Sequence, residues 1–142
     1  MKGINHPEMK HYRSQRYDMN CFPIALKNCA IYIDKKLDLK RFIRLAGRAK
    51  VGEGLAKTLI QISKLLLEET NDLNDIYEHG GIISIMHPIF NLHTTFCFPT
   101  EHNKIMLVNS WIGCNELPLD KPTLKEYLPK PPNNKMYYLL NN

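Results

Sequence analysis

An α+β fold, with helices first and an antiparallel sheet after them, is what the sequence predicts. Two observations carry that prediction. Apolar residues recur at helical spacing through roughly the first half of the chain, and after Gly80 and Gly81 short β-rich runs bounded by Gly and Pro replace them. Segregated helices and strands of this kind build an α+β domain rather than alternating βαβ units.

The elements follow in order. Residues 1–14 are polar and irregular. A first helix is expected from Asn20, a good N-cap, with Pro23 tolerated in its first turn and Phe22, Ala25, Leu26, Cys29, Ala30 and Ile33 at helical spacing. Leu37–Lys50 reads as a second helix, with Leu39, Phe42, Ile43 and Ala46 on one face, and Val51–Gly54 breaks it. Leu55–Glu69 reads as a third, with Leu55, Leu59, Ile62 and Leu66 inward and Asn71 and Asp72 closing it. His79, ahead of the Gly pair, caps a helix. Ile82–Met86 is a strand. His93–Phe98 and Lys104–Asn109 form a hairpin across a polar turn, residues 121–132 are a Pro-rich connection, and Met136–Leu140 is the last strand.

With 142 residues, the chain has the size of one domain, and residues 1–142 are taken as such. Its 44% apolar and 23% charged residues are ordinary for a globular protein, large enough to bury a core without disulfide or metal staples. No signal-peptide pattern and no apolar run long enough to span a bilayer is present, so a cytoplasmic location is expected. The four cysteines, Cys21, Cys29, Cys97 and Cys114, then read as free thiols, and none forms a close Cys-x-x-Cys pair that would hold zinc. Neither a cofactor nor a metal is expected. A set of His87, His93 and Cys97 as metal ligands lacks a spacing rationale.

The net charge of +5 is uneven: nine Lys and Arg between Lys35 and Lys64 face only Asp38 and Glu53. Such a stretch fits a solvated helical face, or a footprint for nucleic acid, anionic cell wall or acidic peptide. Phe42 is its one aromatic, which argues against base stacking and so against a nucleic-acid partner.

Cys21 stands at the start of the first helix, where unpaired N–H groups and the dipole favour a thiolate. Cys29 and Cys97 sit on apolar faces as small hydrophobes. A nucleophilic thiol needs a base, and the base a third group to orient it. If the hairpin turn centres on Glu101, paired positions sum to 202 and His93 faces Asn109 directly across the strands. His87, beside Pro88, is the rival base and does not fit that hairpin. His102 lies in the turn.

Asn109-Ser110-Trp111 resembles the Asn-Ser-Trp of papain-like cysteine peptidases, whose Trp shields the Asn–His hydrogen bond. The spacing of sixteen from His93 to Asn109 and of six from Gln15 to Cys21 is similar to papain's, and so is the order Gln, Cys, His, Asn. The resemblance implies Cys21 as nucleophile, His93 as base, Asn109 as its orienting partner, and Gln15 with the Cys21 backbone N–H as the oxyanion hole. Papain's Cys-Gly-Ser-Cys-Trp surround is absent, with Asn20-Cys21-Phe22-Pro23 in its place, and the Gly-rich stretch after Asn-Ser-Trp is reduced to Ile112-Gly113. The small size is closer to the bacterial double-glycine-leader peptidases, which commonly have Asp where this chain has Asn109. The expected activity is cleavage of a peptide or amide bond in a peptide or protein substrate through a thioester. The alternatives are a thioester-based transferase or deamidase, a peptidoglycan amidase, a papain-like domain that has lost catalysis, and a non-catalytic basic module binding nucleic acid.

Overall fold

The computed structural model describes residues 21–47, 52–87, 91–108, 117–131 and 134–140. The chain begins there with helix α1 (Cys21–Tyr32), apolar nearly all round, as a helix must be when it is buried on most sides. Helix α2 (Leu39–Ala46) is amphipathic. Asp38 caps its start by accepting the Arg41 N–H at 3.4 Å, and Gly47, at φ +75°, closes it. Helix α3 (Glu53–Ser63) takes Gly54 into its first turn and ends well short of the expected Glu69. The Ser63 hydroxyl donates to the Ile60 carbonyl and accepts the Leu65 N–H, and Lys64 adopts the left-handed conformation at φ +61°. The next residues form strand β1 (Leu67–Thr70) instead of helix, because they pair with the last strand of the chain. Leu66, expected inward, is 47% exposed.

Helix α4 (Leu73–His79), absent from the sequence reading except for its His79 end, runs from the Asp72 cap to Gly80. Strands β2 (Gly81–His87), β3 (Asn91–Thr100), β4 (Lys104–Val108) and β5 (Leu117–Asp120) follow. Then come the short helix α5 (Lys121–Lys125), capped by Asp120, and β6 (Met136–Leu139). α5 occupies part of the stretch, residues 121–132, that composition assigned to a connection. The sheet is antiparallel throughout, in the order β1-β6-β2-β3-β4-β5, so the C-terminal strand is inserted between β1 and β2. Gly81 makes this possible: a Cβ there would lie 2.0 Å from the Tyr137 carbonyl oxygen.

Two cores flank the sheet. α1, α2 and α3 cover one face over Phe22, Tyr32, Phe42, Ile82, Phe96, Phe98, Val108 and Tyr137. Tyr32 packs at 5.3 Å from the rings of both Phe96 and Phe98. α4 and α5 cover the other face over aliphatic residues, among them Ile76, Ile83, Ile105, Leu107 and Leu124.

The hairpin is displaced from the expected register. Thr100 opposes Lys104 and Phe96 opposes Val108, so paired positions sum to 204, not 202. The turn centres on His102, and His102 and Asn103 both take left-handed backbone at φ +64° and +57°, a conformation that Asn tolerates well. A shift of two residues leaves every side chain on its expected face; a shift of one would have reversed them.

Candidate active site

Cys21 is the first residue of α1 and is half-buried, whereas Cys29, two turns further on, and Cys97 on β3 are fully buried. Burial pushes the Cys97 thiol up to about 12 and the Cys29 thiol higher still, so both stay protonated near neutrality. They serve as small hydrophobes of the two cores, as the sequence suggested. Of the three described thiols, only Cys21 combines a helix start with access to solvent.

His93 is the third residue of β3, opposite Ile85, and only 1% exposed. Strand alternation sends Phe96 and Phe98 to the face under α1, and His93, Thr95 and Cys97 to the other face. β3 runs past the described end of β4, so residues 91–95 pair with β2 alone among the described residues. At that point the buried Thr95 hydroxyl donates to the carbonyl of Val108, the last residue of β4. Its neighbour Thr94 shares a hydrogen bond with the Ser84 hydroxyl at 3.0 Å on the α1 face.

These hydroxyls escaped the sequence reading, since Thr in a strand is an ordinary β-former. Two Thr directly after a candidate base were the signal available. Gln15, Asn109 and Trp111 lie outside the described residues. His87 ends β2 opposite Asn91. His102 is exposed in its turn. His79 closes α4 with its imidazole 2.9 Å from the Glu78 carboxylate.

No protein-family model matches the sequence, and no curated protein matches it. Solved structures do. The peptidase domain of Streptococcus ComA, a bifunctional ABC transporter involved in quorum sensing, superposes with a TM-score of 0.73 at 9% identity. The match covers 93% of this chain and all of that domain. This chain has the papain-like cysteine peptidase fold. A double-glycine-motif protease from an AMS/PCAT transporter, solved in complex with its leader peptide, gives a TM-score of 0.68 at 10% identity. That match covers 99% of this chain and 96% of the protease. The fold expected from Asn109-Ser110-Trp111 and the spacing of Gln15, Cys21 and His93 is therefore the fold found.

Proposed function

We propose that this chain is a cysteine peptidase in which Cys21 is the nucleophile and His93 the general base. One observation carries the reading: within a papain-like fold, the accessible thiol opens the helix that packs chiefly on the strand bearing His93. Tyr32, at the far end of α1, lies over Phe96 and Phe98, and the hairpin tip beyond them (residues 101–104) is exposed. The proposed pair requires the start of α1 to lie by the Asn91–Thr95 half of β3.

In this mechanism the Cys21 sulfur attacks the scissile carbonyl while His93 takes the thiol proton. His93 returns that proton to the departing amine as the C–N bond breaks, leaving a thioester on Cys21. Water then attacks the thioester with His93 again as base, releasing the acid and restoring the thiol. Gln15 and the Cys21 backbone N–H bind the oxyanion, and Asn109 holds the imidazole. Thr95, hydrogen-bonded to the carbonyl just before Asn109, supports that arm. A leader peptide carrying a double-glycine motif, the ligand type of the second structural neighbour, is the first substrate to test.

Treatment with a peptidyl vinyl sulfone ending in Gly-Gly, read by mass spectrometry, tests the assignment. The adduct is expected on Cys21 and not on Cys29 or Cys97, and a folded His93→Gln variant should lose it. Labelling spread equally over the thiols would remove Cys21 from the role. Undiminished labelling in His93→Gln would remove His93.

A further inference from the structure

The outer side of α2 is used by none of this chemistry. Lys40, Arg41, Arg44 and Leu45 all face solvent there, and Lys35 and Lys36 are exposed in the loop before it. Five cations thus stand within eleven residues against Asp34 and Asp38, and Asp38 is engaged as the helix cap. None of the five is ion-paired to a carboxylate among the described residues. Leu45 is 42% exposed at the edge of this basic arc, although Phe42 and Ala46 on the same helix are buried.

The other face of the sheet carries both signs, with Lys121 and Lys125 on α5 and Lys121 over the Tyr77 ring of α4. α4, in the aliphatic core on the other face of the sheet, carries Asp72 at its cap together with Asp75 and Glu78. A cluster of unpaired cations is drawn to an extended anionic plane.

We infer that the α2 face is a docking surface for an anionic lipid bilayer, with Leu45 entering the headgroup region and the surrounding Lys and Arg meeting lipid phosphates. The outer face of a helix is convex and meets a plane better than it clasps a chain. Basic side chains beside an exposed apolar one are the pattern of interfacial contact. Nucleic acid is the weaker fit, because Phe42, the sole aromatic of the stretch, is 3% exposed and offers no ring to a base.

Cosedimentation of the whole chain with vesicles tests this. Binding is expected to mixed phosphatidylcholine–phosphatidylglycerol vesicles, not to phosphatidylcholine alone, and should fall as salt is added. Lys40→Gln with Arg44→Gln should weaken partitioning by about thirtyfold. Leu45→Ser should weaken it several-fold with the salt dependence unchanged. Lys121→Gln with Lys125→Gln, the same charge change near α5, should leave it intact. All these positions are exposed or half-exposed, and circular dichroism checks that the variants fold. Equal binding to both vesicle types, or equal loss from the α5 pair, would overturn the inference. So would binding of polyglutamate or single-stranded DNA in the absence of vesicle binding.

Discussion

The two faces of the sheet are built differently. Under α1–α3 the core is aromatic, with Phe22, Tyr32, Phe42, Phe96, Phe98 and Tyr137 interlocked beneath helices of eight to twelve residues. Under α4 and α5 it is almost entirely aliphatic, and the covering helices have only seven and five residues. Large rings bury more surface per residue and resist collapse around a void. Short helices depend on their caps, since so few internal hydrogen bonds are formed. The proposed nucleophile rides on the first face and the proposed base points to the second, so the site draws on both.

The largest expected effect is on the aromatic face. Phe96→Ala removes a fully buried ring in contact with Tyr32 and should cost about 3–5 kcal/mol, measured by urea unfolding. Leu124→Ala, equally buried on the single short helix α5, should cost less, about 2–3 kcal/mol, because a marginal element relaxes into the space. A Leu124 loss as large as that at Phe96 would break the comparison.

Dependence on caps separates the helices next. Asp72 accepts the Asn74 N–H at 2.9 Å, so Asp72→Ala should destabilise by about 1 kcal/mol. Asp38 accepts the Arg41 N–H at a longer 3.4 Å, and Asp38→Ala should cost about half as much. The same melting curves measure both, and a reversed order would show that helix length matters less than packing.

The smallest effect lies at the sheet edge. Glu69 on β1 is held by Lys135 at 2.6 Å and Lys57 at 3.2 Å, which lowers its carboxyl below the ordinary 4.5, the Lys135 hydrogen bond contributing most. A depressed carboxyl stabilises fully above its unfolded value, and that stability disappears as pH falls through the folded one. The side chain is partly exposed, so solvent screening should hold the whole contribution below about 1 kcal/mol. Wild type should therefore lose stability slightly more steeply than Glu69→Gln as the pH is lowered below 4.5.

Much of this was legible without coordinates, and its limits have physical causes. α1 was readable because twelve residues of helical periodicity over-determine a helix. The hairpin was readable because β-rich runs flank a polar turn, although its centre fell one residue later, where Asn103 accepts left-handed backbone. The carboxyl side of α3 misled because Leu65–Glu69 has good helix propensity, and only the pairing of Leu67 with Leu139 overrides it. α4 and α5 gave too few turns to show a period.

By itself, then, the chain determined the α+β class, helix α1 and the central hairpin, the burial of Cys29 and Cys97, and the papain-like spacing of Gln15, Cys21, His93 and Asn109. Those features are local or are counted along the chain, so periodicity and separation carry them. Tertiary structure alone decided that β6 enters between β1 and β2, that Leu67–Thr70 is extended, and that Thr95 ties the end of β4 to β3. Each depends on a backbone partner outside the local stretch, a strand's ladder or the Val108 carbonyl that accepts the Thr95 hydroxyl, and a backbone group is the same whatever side chain the sequence displays there.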